Sequence, residues 1–365
     1  MSRPISLTPA PAARAAGCAL RQAGRRLPQI GAAFGLILVV AGLAVAHLGA
    51  GARPIAPRVV IEALVAFDAD SFDHNVVVEL RLLRLLAGLV VGAGLGVCGA
   101  LVQSITRNPL GEPHVLGLNA GAALAVVTTL SLGPLLATQP GALPPAEALV
   151  AARPFVAALG AGALFALVVA AASAGRSGPT PLKVTLCGVA FSAFAAALTS
   201  AQLILDDQTL ATVRLWLAGD LSGLRYGALR AACVPAGLGL AIAFAVAGRL
   251  DALALGDGVA RGLGVDVART RLAGLVAAGL LAGAAVSLAG PIGFVGLVVP
   301  HALRALGVRD MRLALPLSAL GGAALLLAAD LAARTLLAPR ELATGAMTAL
   351  VGVPVFIALA ARGRR

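Results

Sequence analysis

The chain of 365 residues is 59% apolar and only 12% charged, and its mean hydropathy is +0.96. A soluble domain is roughly 45–50% apolar and about 25% charged, so this composition excludes a soluble enzyme, a disordered chain and a nucleic-acid-binding module. The net charge of +12 does not indicate nucleic-acid binding, because Lys and Arg lie in short clusters between apolar blocks and not in a basic patch on a polar domain. The composition therefore predicts an all-α integral membrane protein.

Apolar segments long enough to cross a bilayer recur along the chain. A helical span needs about 20 apolar residues to cross roughly 30 Å of hydrocarbon. The windows that lack Asp, Glu, Lys and Arg are 27–52, 85–106, 113–146, 154–175, 184–205, 231–248, 272–303, 313–329 and 342–361. Gly290-Pro291 and Pro300 interrupt the window 272–303, which therefore predicts two segments, the second too short to cross unless protein surrounds it. The total is about ten transmembrane helices.

The distribution of basic residues predicts the orientation of these helices. With the N-terminus inside, 18 of the 28 Lys and Arg residues fall on the cytoplasmic side and 10 fall outside, in agreement with the positive-inside rule. Both termini are then cytoplasmic. Residues 1–26 are predicted to form a cytoplasmic tail, and residues 27–365 to form the transmembrane domain.

Two cytoplasmic loops carry polar patterns that suggest a role. The loop 103–117 contains Arg107 and Glu112 and is too polar to face lipid, so we expect it at the end of a pore or buried in protein. The loop at about 250–270 mixes apolar and charged residues as two short helices would. An amphipathic helix at this corner could lie on the membrane surface or dock in a groove of a partner, and the pattern alone favours neither.

The chain shows no pattern typical of a catalytic or metal site. Its four cysteines, Cys18, Cys98, Cys187 and Cys233, are scattered, and so are its four histidines. The only ionisable candidates for a proton relay are Asp330 and Glu112, both near predicted span ends. We therefore expect no catalytic residue, no metal and no cofactor, and we interpret the chain as a passive or externally powered conduit.

Small residues predict tight packing of one helix. Gly88, Gly92 and Gly96 recur every four residues and form a stripe on one face of the second span. Small residues let membrane helices approach closely. This helix is therefore expected at the centre of the bundle, away from lipid.

Several longer motifs, in unbroken order from about residue 30 to the C-terminus, resemble a known family. The matching stretches are Arg81-Leu-Leu-Arg84, Thr106-Arg-Asn-Pro-Leu-Gly-Glu-Pro113, Leu253–Gly264, Gly290-Pro-Ile-Gly-Phe-Val-Gly-Leu-Val-Val-Pro-His301, Ala328-Ala-Asp-Leu-Ala-Ala-Arg334 and Glu341-Leu-Ala-Thr-Gly345. They closely resemble FecCD-type permease subunits of type II ABC importers, which take up iron-siderophore, haem and cobalamin complexes. The resemblance implies ten helices, with helices 2–5 and 7–10 forming an inverted repeat.

The resemblance also implies partners and a location in the bacterial inner (cytoplasmic) membrane. The expected assembly has a second permease subunit, identical or related, two cytoplasmic ATPase subunits and a periplasmic or lipid-anchored substrate-binding protein. The permease itself would be non-catalytic, because ATP hydrolysis belongs to the separate ATPase subunits. This chain has no P-loop pattern, and its single lysine is Lys183.

Site residues follow from the same resemblance, position by position. Arg81, Arg84 and Arg334 match arginines that face acidic residues of the docked binding protein. Asn108, Leu110, Thr180 and Pro181 match positions of the cytoplasmic gate. The positions that match the loop seated in the ATPase are Leu253, Leu255, Gly256, Asp257, Ala260, Arg261, Leu263 and Gly264.

The predicted function is therefore import of a ferric siderophore, or a related metal chelate, as the permease subunit of an ABC transporter. Haem and cobalamin remain open as cargo, and so does the choice between a homodimer and a heterodimer. The alternative is an ion- or proton-coupled secondary transporter that acts without an ATPase.

Overall fold

A computed structural model describes residues 31–51, 53–137, 146–174, 180–338 and 340–362. The predicted tail, residues 1–26, lies outside this described part, as does the segment 138–145 that follows the fifth helix. Every regular element among the described residues is helical.

The helices follow one another along the chain with short connections. They are α1 Gly31–Gly49, α2 Pro57–Val65, α3 Phe72–Asn75, α4 Leu83–Thr106, α5 Leu118–Ala137, α6 Ala146–Ser173, α7 Pro181–Leu205, α8 Asp207–Leu217, α9 Tyr226–Ala254, α10 Asp257–Gly262, α11 Val267–Ala289, α12 Val295–Ala305, α13 Met311–Thr335 and α14 Thr344–Arg362. A π-helical stretch, Val76–Leu82, joins α3 to α4 without a break.

Seven helical segments in the described residues are long and apolar enough to cross a membrane: α1, the continuous segment from α3 through α4, α6, α7, α9, α11 and α13. Shorter apolar helices lie within α5, α12 and α14. The expectation of an all-helical membrane protein is confirmed. The count of ten spans stays a prediction, because the three shorter helices do not meet this length on their own.

The glycine stripe places α4 at the centre of the bundle. The most apolar part of its segment is 78% buried, compared with 11% for α1. A Cβ atom added to Gly92 would lie 2.5 Å from the carbonyl oxygen of Gly322 in α13, and one added to Gly96 would overlap the carbonyl oxygen of Ser318. Because only glycine permits this approach, the expected central position of the second span is confirmed.

The predicted break in the window 272–303 is present. The α11 helix ends at Gly290, whose φ of +71° suits glycine, and a Cβ atom there would overlap the carbonyl oxygen of Trp216. Helix α12 begins after Phe294 and, with 11 residues, is only about 16 Å long. It packs against α4, where Gly296 touches Gly99. Protein therefore surrounds this short helix, as a broken span inside a bilayer requires.

The polar groups gather at two opposite ends of the bundle. The 24 residues of α4 extend about 36 Å. The start of α4 adjoins the π-helical stretch beside α2 and α3, and its last turn leads to Arg107, which contacts α10. We refer to these as the α2 end and the α10 end.

The corner at 250–270 differs from the expectation of two short helices. The alanine- and leucine-rich sequence up to Ala254 prolongs α9, so only one separate short helix, α10, follows. Gly256, with φ of +111°, separates α9 from α10, and Gly264, with φ of +78°, lies in the turn between α10 and α11. The breaks therefore fall at glycines, as expected, but they enclose one helix.

Candidate functional site

The three arginines predicted to dock a binding protein line a single cavity at the α2 end. It has a volume of about 550 Å³, and we call it the arginine pocket. Arg81, Arg84 and Arg334 are all buried, because each is less than a tenth exposed. The acidic residues that also line the pocket are Asp73, Glu79 and Glu341. The structure thus brings the three arginines together, as one site requires.

Arg84 is fully engaged inside this pocket. Its Nε and Nη2 atoms donate to Oδ1 of Asp330 at 3.1 and 2.9 Å, and Nε also lies 3.1 Å from Oδ2. Its Nη1 atom donates to Oε2 of Glu341 at 2.8 Å. Asp220 lies farther away, with Oδ1 3.8 Å from Nη2. The guanidinium therefore has an inner side held by Asp330 and an outer side held by Glu341.

Asp330 connects four helices at one fully buried carboxylate. Its Oδ1 atom accepts from Arg84 of α4 and, at 2.7 Å, from Oγ1 of Thr344 at the start of α14. Its Oδ2 atom lies 2.8 Å from Nε2 of His47 in α1 and 3.3 Å from Nε of Arg334, one turn further along α13. Buried charges persist only when they are paired and hydrogen-bonded, and this carboxylate satisfies both conditions.

Arg81 differs from the other two arginines. Its guanidinium donates to the backbone carbonyl oxygens of Leu48 and Gly49, the last residues of α1, and of Arg53 in the segment that follows. It forms no ion pair with a carboxylate in the described part of the chain. Arg81 is therefore the pocket cation whose charge is not neutralised by direct pairing.

The predicted gate residues lie at the α10 end. The Nδ2 atom of Asn108 donates to Oγ1 of Thr185 at 3.2 Å, which joins the loop after α4 to the first turns of α7. The Oδ1 atom of Asn108 accepts from the backbone N–H of Leu110, whose side chain is exposed. Thr180 caps α7 through its side chain, and Pro181 is the first residue of that helix. Asn108 thus contacts α7 at Thr185, about one helical turn after Pro181.

Helix α10 presents an apolar face at the same end. Among the predicted contact residues, Leu253 and Ala260 are buried and attach the corner to the bundle. The exposed apolar side chains are Leu255, Val259 and Leu263. Arg261 is also exposed. Val259 in α10, together with Leu255 just before and Leu263 just after this helix, forms an exposed apolar surface that matches the groove-docking mode of an amphipathic helix.

An ion pair that the sequence analysis missed ties α10 to the gate loop. The Arg107 guanidinium forms a short ion pair with Asp257, and its Nε atom donates to the carbonyl oxygen of Leu253 at 2.9 Å. Arg271 of α11 reaches the same carboxylate at 2.9 Å. Arg107 directly precedes Asn108, so the two predicted sites are mechanically connected. The sequence offered one signal for this pair, namely a basic residue, Arg107, in one predicted cytoplasmic loop and an acidic residue, Asp257, in the other.

Glu112 joins two breaks in the helical structure. Its Oε1 atom accepts from the backbone N–H of Phe294, before α12, and its Oε2 atom from the backbone N–H of Val115, before α5, at 3.0 and 2.9 Å. Glu112 and Asp330, the two relay candidates, thus both serve as fixed hydrogen-bond acceptors. Neither carboxylate is left open for a travelling proton, which weakens the ion-coupled alternative.

The described residues contain no group of three His, Cys, Asp or Glu side chains placed to hold a metal ion. The described residues form an all-helical bundle with polar clusters at its two ends, and this arrangement is that of an integral membrane protein. The model of the FecCD transport family matches residues 36–362. The chain therefore belongs to the FecCD transport family of ABC transporter permease subunits, which are transport components and not catalysts.

Named relatives and a solved structure agree with this assignment. The chain is 37% identical over 353 residues to the iron(3+)-hydroxamate import system permease protein FhuB of Bacillus subtilis, an alignment covering 95% of this chain and 88% of FhuB. It is 41% identical to the vitamin B12 import system permease protein BtuC of Vibrio cholerae over 79% of this chain and 83% of BtuC. A metal-chelate type ABC transporter solved in an inward-facing conformation superposes with a TM-score of 0.72 and 29% identity, covering 90% of this chain and 98% of that one.

Proposed function

We propose that this permease carries a ferric siderophore, or a related metal chelate, from outside the cell into the cytoplasm. The observation that carries the proposal is the similarity to an iron(3+)-hydroxamate permease over 95% of the chain. The similarity to a vitamin B12 permease covers 79%, so cobalamin is the second choice, and haem remains open. A bundle without a metal-ligand cluster in its described residues suits passage of an intact chelate.

The orientation is part of the proposal. The permease domain, residues 27–365, has ten transmembrane helices, with helices 2–5 and 7–10 related as an inverted repeat, in the bacterial inner membrane. Both termini and the α10 end face the cytoplasm, and the α2 end faces outward. The positive-inside distribution of Lys and Arg supports this orientation. The enclosed half-length helix α12 is consistent with the broken helices that line transporter paths.

The partners are assigned to the two ends. A second permease subunit, identical or related, completes the path, and two ATPase subunits that hydrolyse ATP bind at α10. The exposed Leu255, Val259 and Leu263 support this contact. A substrate-binding protein docks at the arginine pocket, where Arg81, Arg84 and Arg334 attract its acidic side chains and fix its orientation.

The transport mechanism uses the connection between α10 and the gate. Closure of the two ATPase subunits on ATP moves α10, and the ion pair between Asp257 and Arg107 carries that movement to the loop of Asn108. Asn108, Leu110, Thr180 and Pro181 then open or close the cytoplasmic exit between the two permease subunits. The permease supplies rigid elements and a shaped path, and the chemical energy comes from its ATPase partners.

Reconstitution in sealed liposomes tests the proposal. Substitution of both Val259 and Leu263 with Asp should abolish co-purification of the ATPase subunits and uptake of a labelled ferric hydroxamate, because charges cannot enter an apolar groove without cost. Val65→Asp, at an exposed position of α2 at the opposite end, is the matched control and should retain both activities. Uptake without any ATPase would refute the proposal and support the ion-coupled alternative.

A further inference from the structure

We propose that Glu341 occupies, in the free permease, the place of a carboxylate from the docked substrate-binding protein, and that docking displaces Glu341 from Arg84. The inference rests on the proposed docking at the arginine pocket and names the internal group that competes for it. The partner group is the carboxylate of an aspartate or glutamate side chain.

The contacts of Arg84 divide into a permanent and an exchangeable part. Nε and Nη2 bind Asp330, whose side chain is 0% exposed and is also bonded by His47 and Thr344. Nη1 binds Glu341, whose side chain is 41% exposed. Removal of Asp330 from Arg84 would leave buried charges unpaired, whereas Glu341 can turn into solvent. Of the two carboxylates that accept hydrogen bonds from Arg84, an incoming group can therefore replace only Glu341.

The backbone around Glu341 permits this exchange. Glu341 lies in the connection between α13 and α14, and the next residue, Leu342, is fixed by a hydrogen bond from its backbone N–H to the carbonyl oxygen of Ala333. The side chain of Glu341 can thus leave the pocket while the connection itself stays in place. No helix has to move for the site to become free.

The charge of the pocket explains why the incoming group is a carboxylate. Arg81 has no carboxylate partner among the described residues and lines the same cavity as Arg84. A guanidinium binds a carboxylate through parallel N–H donors, and an acid that replaces Glu341 on Nη1 keeps Arg84 neutralised. The incoming acid also brings its negative charge into the cavity that Arg81 lines. Exchange of one carboxylate for another therefore leaves the pairing of Arg84 intact.

The test compares two substitutions that remove the same charge from the same pocket. Glu341→Gln removes the competing carboxylate, and Glu79→Gln removes an exposed carboxylate that lines the pocket but forms no ion pair with an arginine in the described part of the chain. The full transporter complex in lipid nanodiscs is titrated with a substrate-binding protein that stimulates its ATP hydrolysis. We expect Glu341→Gln to tighten binding by about three- to tenfold, since it removes one charge-assisted contact that docking must break.

The control separates exchange from general electrostatics. If Glu79→Gln tightens binding as much as Glu341→Gln, only the net charge matters, and the inference is overturned. An unchanged or weaker affinity of Glu341→Gln also overturns it. Melting temperatures of both variants confirm that each is folded, because these side chains lie at the solvent-accessible side of the pocket.

Failure of the docking proposal itself gives a different result. Arg81→Gln removes the pocket cation that has no ion pair with a described carboxylate, so it leaves the Asp330 contacts intact. If Arg81→Gln and Glu341→Gln both leave the affinity unchanged, the pocket is not the docking site. If Arg81→Gln weakens binding and Glu341→Gln does not strengthen it, docking holds and the exchange is wrong.

Discussion

Nε2 of His47 lies 2.8 Å from Oδ2 of Asp330, although 283 positions separate the two residues in the sequence. Both side chains are 0% exposed. The contact attaches α1 to α13 at the α2 end of the bundle, and α1 has few other buried contacts along its apolar length. The same carboxylate holds Arg84 and orients it in the arginine pocket. The Asp330 carboxylate thus links the stability of the bundle to the shape of its proposed docking site.

Substitution of Asp330 with Ala should be among the most damaging single changes in this protein. It leaves the buried Arg334 without its ion-pair partner among the described residues and leaves Arg84 paired mainly with Glu341, and loss of one partner of a buried ion pair costs about 3–5 kcal/mol. We expect a large fall in the thermal unfolding temperature of the purified chain in detergent. Asp70→Ala, at an exposed position of the same end, serves as the control. Equal unfolding temperatures for the two variants would contradict the role assigned to Asp330.

The ion pair between α10 and the gate loop should matter for coupling more than for assembly. Asp257→Ala removes the acceptor of both Arg107 and Arg271 and leaves the exposed apolar face of α10 unchanged. We expect the ATPase subunits still to bind, while the amount of substrate taken up per ATP hydrolysed falls by about three- to tenfold. This change corresponds to a free energy of about 0.7–1.4 kcal/mol, which is typical of the loss of one charge-assisted hydrogen bond.

Asp266→Ala is the matched control for this coupling experiment. Asp266 caps α11, and its ion-pair partner among the residues that the structure describes is the exposed Arg269. It lies in the same corner but outside the path from α10 to Asn108. Uptake per ATP that drops equally in both variants would remove the connection from the mechanism.

The close contact between α4 and α13 predicts a steric effect of a single methyl group. In Gly96→Ala, the new Cβ atom would overlap the carbonyl oxygen of Ser318, so the helices must separate, at a cost of typically 1–3 kcal/mol. Gly237→Ala, in α9, is the control, because nothing lies within 4 Å of its Cβ position. Alanine favours a helix over glycine by about 0.8–1 kcal/mol, so this variant should be neutral or more stable. Thermal unfolding of both variants decides the matter, and a Gly96→Ala protein as stable as the control would argue against the contact.

Asp206, between α7 and α8, predicts an acid-sensitive contribution to stability. The hydroxyl groups of Ser131 and Thr209 donate to its Oδ2 atom, and these bonds lower the pKa of the carboxyl to about 2. The unfolded value is about 3.9. A lowered pKa means that the stabilisation is present above pH of about 4 and is lost as the pH falls toward 2.

The stability difference between wild type and Asp206→Asn should therefore be constant above pH of about 4 and shrink below it. Unfolding temperatures of the two proteins, measured between pH 2 and 6, give the pH dependence of this stability difference. Asp207→Asn, at the exposed neighbouring position, controls for the charge change. A difference that grows on acidification would have the wrong sign for this carboxylate.

The elements that composition determines were predictable from the sequence. Charge-free windows identify the long helices, because a helix must be apolar over its whole length to lie in the hydrocarbon of a bilayer. Gly290-Pro291 identifies the break between α11 and α12, because these two residues interrupt a helix. The extent of α9 was harder to predict. The residues Ala252–Ala254 favour a helix, and α9 continues through them. The helix ends just before Gly256, whose positive φ is incompatible with a continuing α-helix.

Contacts across the bundle were not predictable in the same way. The sequence identified Arg84 and Arg334 as members of one motif set but gave no sign that Asp330 holds both of them. His47 has no periodic or spacing signal, because the identity of its partner depends on how α1 lies against α13. Ion pairs between distant segments are fixed by tertiary packing, and one sequence alone contains no measure of that packing.

The length of chain between His47 and Asp330 has a consequence for biogenesis. The ribosome synthesises α1, the π-helical stretch with Arg81 and α4 with Arg84 long before it synthesises α13. Until then, Arg81 and Arg84 have no acidic neighbour from α13 or from the connection after it, and long basic side chains in that situation stay at the headgroup level of the bilayer. Insertion of α13 supplies the missing negative charge and draws Arg84 into its final place. The contacts at the α2 end are thus completed late in synthesis, and a nascent chain truncated before residue 330 would lack the carboxylate that binds His47, Arg84 and Thr344.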